Sequence, residues 1–374
     1  MKTKRSWIVL IIAMAAMLFS CATSIPVTYI EPSIVDMSQY RNLAIASTVP
    51  FRGYLKGSTW IRTIDKQSSW VYAPSSIQSS LSRSVANYAT EKLVSTITST
   101  GYYTKVMLPE NTDTIMGLSG LGRNVSSEFQ KSGIDAVMIP KIESMSVDEY
   151  IYSRPYDYTY TKDGKTYKEV RYRYYVSQSA FITYSITVID TKTDRIVTKK
   201  SFSDSYTTDE LINADWPIIT STDILFRNMI YSFQPTIRTL FAPSARTLSI
   251  YLMDNKPKLD YVKSGYDAAK KGDTKYAFEL FMSAWDNDRH LPSGYNSALL
   301  LASYGRLDEA LQLLSEISTM YSNPKVKELY ARLMEVKSKN EQARKQLDTR
   351  SESQDSALED MQSFYSVYDM VRNN

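Results

Sequence analysis

Residues 150–175, YIYSRPYDYTYTKDGKTYKEVRYRYY, decide the fold. At their centre Lys162-Asp163-Gly164-Lys165 is a strong signal for a two-residue type I′ hairpin turn. Both central residues must take positive φ, which Asp and Gly tolerate. A two-residue loop pairs Tyr160 with Tyr167, Tyr158 with Glu169 and Tyr156 with Arg171, all on one face. The opposite face then carries Asp157, Val170, Tyr172 and Tyr174. Such a surface, aromatic on both sides, either protrudes to bind a protein strand or stack on glycan, or packs one face on the body and leaves the other as ordinary wet tyrosine.

Upstream of this hairpin the apolar pattern is that of alternating strands and helices. Leu43 to Val49 is a short apolar run ended by Pro50. The irregular stretch Phe51 to Pro74 follows, with Trp60 and Trp70 as candidate partner-binding residues. Ser75 or Ser76 caps a helix whose apolar positions are Ile77, Leu81, Val85, Tyr88, Leu93 and Ile97, and Gly101 stops it. Tyr102 to Leu108 is a second strand. Gly117, Gly120 and Gly122 match neither phosphate-cradling glycine motif and are read as a flexible loop. Asn124 or Ser126 opens a helix ending at Gly133, and Ile134 to Ile142 is a third strand. That order implies parallel pairing with right-handed crossovers.

Downstream the pattern is antiparallel. Phe181 to Ile189 alternates, Asp190 to Asp194 turns, and Ile196 to Tyr206 returns. A last helix starts at Ser221 or Thr222, is kinked or ended by Pro235, and the domain closes at Phe241-Ala242-Pro243. The expectation is a mixed-sheet α/β domain over 42–242, a linker over 243–257, and helices thereafter.

The helical part carries an internal offset of 33 residues. Gly265 maps onto Ala298, Gly272 onto Gly305, Ala277 onto Ala310, and Phe281 onto Leu314. The alanines suit a close helix crossing, and the glycines suit the left-handed end of a helix. These positions resemble a tetratricopeptide repeat, although the period is one short of the usual length. The resemblance implies an all-α repeat domain over 258–347, capped by a helix from Val326 to Leu347, with a concave groove for a peptide. A polar tail occupies 348–374.

At the other end, Lys2, Lys4 and Arg5 precede the uncharged run Trp7 to Phe19, which is too short to span a bilayer. Leu18-Phe19-Ser20-Cys21 resembles a bacterial lipobox, and Cys21 is the only cysteine. The resemblance implies a cleaved signal over 1–20 and acyl chains on Cys21. Two or three chains hold durably, each buried CH₂ contributing about 0.8 kcal/mol. Residues 21–41, with Pro26, Pro32 and no period, are expected to be a tether. Ala22, Thr23 and Ser24 contain no acidic residue, which favours the outer membrane, facing the periplasm.

Without the signal the chain keeps 41 basic against 40 acidic residues, a balance that gives no electrostatic case for nucleic acid. His290, the only histidine, lies in a polar turn and is expected at the surface. One histidine and one lipidated cysteine cannot build a transition-metal site or a histidine-based triad. Glu143, Asp148 and Glu149 would be the carboxylates for glycosidase-type chemistry, and no second feature supports it. No catalytic residue and no cofactor are expected.

In element order, with Gly133-Ile134-Asp135-Ala136-Val137 leading the third strand and Val188-Ile189-Asp190-Thr191 ending the long one, residues 40–242 are similar to a group of periplasmic α/β domains. These belong to the curli-secretion lipoprotein, the lipoprotein activator of penicillin-binding proteins, and the N-terminal part of TolB. The likeness implies docking of other envelope proteins, with ring assembly as the alternative and a cell-wall-acting hydrolase on peptidoglycan as the more remote one.

Overall fold

The computed structural model describes residues 23–53, 75–121, 123–211 and 222–351. Contacts divide the chain into Ser33–Ala242 and a second unit, made of residues up to Pro32 together with those from Pro243 onward. The first is mixed α/β, the second mainly helical.

In the α/β unit the five strands stand in the order β3-β2-β4-β5-β6. They are β2 (Asn42–Ile45), β3 (Lys105–Met107), β4 (Ala136–Lys162), β5 (Lys165–Asp190) and β6 (Arg195–Leu211). β2 runs parallel to β3 and β4, whereas β4, β5 and β6 are antiparallel neighbours. Two helices, α1 (Ser75–Thr98) and α4 (Thr222–Phe241), pack together. On that side Tyr184 of β5 is fully buried and stacks on Phe233 of α4 at 6.4 Å. The other side carries the short helix α3 (Val125–Lys131), whose Phe129 is buried against Ala44 and Val137.

The residues that suggested the envelope-domain likeness are structural staples. Asp135 Oδ2 accepts from the backbone N–H groups of Arg41 and Asn42, at 3.0 and 2.9 Å, which sets β2 beside β4. The Thr191 hydroxyl donates to the Ile134 carbonyl at 2.7 Å. Asp190 accepts from the amides of Lys192 and Thr193, closing the β5–β6 turn, and these bonds hold its carboxyl below the usual range against the opposing effect of burial.

Several sequence expectations are corrected here. The third strand and the first hairpin arm are one strand, β4, interrupted only by a register shift between Ile142 and Ser144. Bulges of this kind bend a strand without ending it. The glycine-rich loop is in part ordered: α2 (Pro109–Gly117) is followed by a 3₁₀ turn over Leu118–Leu121, while Gly122 lies outside the described residues. Pro235 does not end α4, because buried Ile237, Leu240 and Phe241 hold its last turns in the core.

The larger correction concerns the tether and the linker. Ser24–Glu31 forms strand β1, and it pairs antiparallel with β7 (Ser244–Tyr251). Ile25 and Val27 point inward and join Ile250, Leu252 and the helices in one core. Pro26, opposite Ser249, is tolerated because the Leu252–Thr23 bond puts the hydrogen-bonded pairs at the odd residues of β1, so the missing N–H of Pro26 is turned away from β7 and breaks no ladder bond.

Five helices build the rest of this unit: α5 (Lys263–Lys270), α6 (Thr274–Asp288), α7 (Leu291–Ser303), α8 (Leu307–Met320) and α9 (Pro324–Ser351). Each packs on its successor. Gly272 and Gly305, with φ of 85° and 78°, follow α5 and α7. After each, the next amide reaches back to a helix carbonyl at 3.0 Å, Asp273 to Ala268 and Arg306 to Leu301. Ala277, Phe281, Ala298, Ala310 and Leu314 are fully buried, and Gly265 is buried beside Phe281. His290 is buried too, against expectation. Its Nδ1 meets the Ser293 hydroxyl at 2.7 Å and its Nε2 the Pro257 carbonyl at 2.9 Å. The charged residues before it disguised a capping position at the start of α7.

Helix α7 passes Trp285 so closely that a Cβ on Gly294 would lie 2.6 Å from the indole. Gly294→Ala is therefore expected to lower stability by about 1–2 kcal/mol, overpacking outweighing the better helix propensity. Gly117→Ala, with open space around it, should be neutral or slightly stabilising. Urea midpoints of both variants check the pair.

Candidate functional site

β5 pairs with β6 only as far as Tyr175, opposite Leu211. β4 and β5 continue together to Lys162 and Lys165. Among the described residues, 153–174 are thus a two-stranded arm, roughly 30 Å long at the usual rise per residue. Its tip is Asp163-Gly164, with φ of 52° and 72°, both positive as a type I′ turn requires.

The register matches the one expected: Tyr160 opposite Tyr167, Tyr158 opposite Glu169, Tyr156 opposite Arg171. That face is a stack rather than a row of separate rings. Tyr158 and Tyr160 stack at 5.9 Å, Tyr160 and Tyr167 at 5.5 Å, and further down Tyr152 and Tyr175 at 5.3 Å. Between them lie arginines. Arg171 covers the Tyr158 ring at 3.5 Å, Arg173 covers Tyr156 at 4.3 Å, and Arg154 sits between Tyr152 and Tyr175 at 5.2 and 5.1 Å. Arg171 was placed on this face by the sequence, whereas Arg154 and Arg173 were missed, although the alternation Arg171-Tyr172-Arg173-Tyr174 carried the signal. On the opposite face Tyr172 and Val170 are 58% and 59% exposed. The register puts Tyr174 at a position of that face. Trp60, Trp70 and Cys21 lie outside the described residues.

An isolated two-stranded hairpin is marginal in water. Here cross-strand pairs supply about 0.2–1 kcal/mol each and exposed cation–π contacts about 0.5–1 kcal/mol. One contact opposes them. The register sets Arg154 directly across from Arg173, and like charges in that position repel. Each guanidinium is drawn onto a different tyrosine. Of the charged residues on this face, Arg154, Arg171, Arg173, Lys162 and Lys165 are basic, and Glu169 alone is acidic, already paired with Arg171. The face therefore attracts anions.

The carboxylates weighed in the sequence do not converge. Asp148 and Glu149 occupy alternating positions of β4. Glu143, at the bulge, is held by Lys141 at 2.5 Å, Lys199 at 2.9 Å and the Ser185 hydroxyl at 2.8 Å. The two ammonium groups pull its carboxyl down to about 2. Elsewhere a cleft of about 390 Å³ beside α3 has Met116, Phe129 and Ile189 among its apolar walls and Arg123 at its rim. Asp194, also in its lining, already accepts from Ser126 at 2.8 Å. Among the described residues no cluster of His, Cys, Asp and Glu could hold a metal ion, and no helix is long and apolar enough to cross a membrane.

No protein-family model matches the chain. No curated protein matches it significantly either. Among solved structures it is similar to a PelC dodecamer from Paraburkholderia phytofirmans, at 10% identity over 57% of this chain and 96% of that one. The TM-score is 0.21, too low to support inference from that structure.

Because the Glu143 carboxyl titrates lower in the folded than in the unfolded chain, its contribution is present above about pH 4.5 and lost as pH falls toward 2. Between those limits the wild type should lose on the order of 1 kcal/mol more than Glu143→Gln, a value reduced for the partial exposure of the pair. Urea melts of both proteins across that pH range measure the difference.

Proposed function

We propose that this protein is a lipid-anchored, non-catalytic docking protein of the bacterial envelope, and that its tyrosine–arginine arm grips an acidic segment of another envelope protein. The observation that carries this reading is the composition of an arm that, among the described residues, continues past the end of β6. Four tyrosines and three arginines of the arm share one face, which Tyr152 and Tyr175 continue at its base, and two of those arginines are set against each other. An acidic side chain laid between Arg154 and Arg173 relieves their repulsion and gains bidentate hydrogen bonds. Arginine and tyrosine are also the residue types that anchor protein interfaces.

The remaining parts fit the same reading. Acyl chains on Cys21 hold the molecule at the outer membrane, on its periplasmic side. The helix pairs after Pro257, with their buried alanines and left-handed glycines, are read as tetratricopeptide-like units offering a second docking surface. The β1–β7 ribbon packs into the core of these helices, so the open groove on that unit is smaller than bare repeats would leave. Peptidoglycan is a lesser candidate for the arm, whose charge suits an acidic partner better.

The test uses the full-length lipidated protein, with a photocrosslinking residue at exposed Tyr167. It should yield one discrete crosslinked envelope protein, with capture falling steeply as salt rises. Tyr156→Ser, Tyr158→Ser and Tyr160→Ser together should leave the circular dichroism of the body unchanged and reduce capture at least about tenfold. Undiminished capture by the triple variant contradicts the docking role of this face. A clearing band on a peptidoglycan gel would contradict the non-catalytic reading.

A further inference from the structure

We propose that the Tyr251 end of the β1–β7 ribbon rests against lipid headgroups. This rests on the reading of Cys21 as the lipidated residue.

The ladder does not stop at the Ser24–Tyr251 pair. The Leu252 amide donates to the Thr23 carbonyl at 3.0 Å. One step further, the Met253 amide donates to Asn296 Oδ1 at 2.7 Å, the Asn296 amide returns a bond to the Met253 carbonyl at 3.1 Å, and Tyr266 of α5 donates to that carbonyl at 2.6 Å. Asn296 is fully buried in α7. Thr23 is therefore tied, through one ladder bond, to a strand end that is fastened to two helices. Only Ala22 separates Thr23 from Cys21. At 3.8 Å per Cα step the anchoring residue lies within about 8 Å of Thr23.

That distance leaves no length for a leash. Acyl chains in the bilayer put the sulfur of Cys21 at the headgroup level, and the ribbon end must follow. Tyr251, opposite Ser24, is 63% exposed. A tyrosine with an apolar body and a hydroxyl fits the membrane–water boundary. The nearby charges do not call for an anionic surface, since Lys256 lies near Asp254 at 3.8 Å and Lys258 pairs with Asp260 at 2.8 Å. The contact is thus expected to be insensitive to salt, unlike that of the arm.

Acylated Cys21 leaves no free thiol, so Tyr251→Cys adds a single labelling site. The full-length acylated protein, carrying a fluorophore there, is reconstituted in vesicles of phosphatidylethanolamine and phosphatidylglycerol containing a headgroup nitroxide lipid. A second label at Ala245→Cys marks the far end of the same ribbon, roughly 20 Å away. Quenching at 251 should exceed that at 245 by at least about threefold. A flexible Gly-Ser insertion between Ala22 and Thr23 should abolish the difference while the protein still floats with the vesicles. Equal quenching at both positions, or no change on insertion, overturns the proposal. Failure of the uninserted protein to float is a separate result, and it removes the lipid anchor itself.

Discussion

The unbroken ladder between β4 and β5 is the constraint on which the α/β unit depends. Its first half is buried under α4 on one side and Phe129 on the other, where apolar burial holds the strands at about 25 cal/mol per Å². Among the described residues its second half has no partner in β6, yet the register is carried through the bulge at Ile142/Ser144 and on to the Asp163-Gly164 turn. A slip of one residue would move Tyr156, Tyr158 and Tyr160 to the opposite face and expose Met138 and Ala136 in the core. Core and arm therefore specify each other. The stacked tyrosines and arginines keep the outer half paired, and the same side chains form the surface proposed to meet a partner.

Much of the arm was legible in the sequence because its information is local. Asp163-Gly164 sets the turn, period-2 alternation sets the faces, and pairing follows without any long-range contact. The alternation of strands and helices around Leu43, Ile77 and Ile134 was legible for the same reason. What escaped was non-local. β1 and β7 are more than two hundred residues apart in the chain, and each is too short and too interrupted, by Pro26 in one case and polar residues in the other, to declare itself alone. Their strand state comes from each other and from the helices beneath. His290 shows the same effect on one residue. Its neighbours are charged, but Ser293 and the Pro257 carbonyl satisfy both ring nitrogens inside the fold. The arginine ladder was visible as letters and invisible as geometry, because cation–π pairing runs diagonally across the strands.

The second unit is organised by a clasp. At one end of β1 the Asn296 side chain fastens the ribbon to α5 and α7. At the other, the Ile30 amide donates to Asn340 Oδ1 at 2.7 Å, and Glu31 is shared by Arg246 at 2.9 Å and Lys339 at 3.1 Å. Residues directly after the proposed lipid anchor are thus structural members of the helical unit. In the proposed function this separates two tasks by chemistry. The helical unit would meet the bilayer through acyl chains and a salt-indifferent aromatic, and the arm would meet a protein through charge and stacked rings.

The central claim is that the arm is built before any partner arrives. Amide hydrogen exchange of the free protein, read residue by residue over 153–174, tests it most directly. The account predicts that the cross-strand bonded amides of Tyr156–Tyr160 and Tyr167–Arg173 exchange at least about tenfold slower than an unstructured chain of the same sequence. Exchange at unstructured rates throughout the arm, with β4 and β5 protected only where helices cover them, would contradict it.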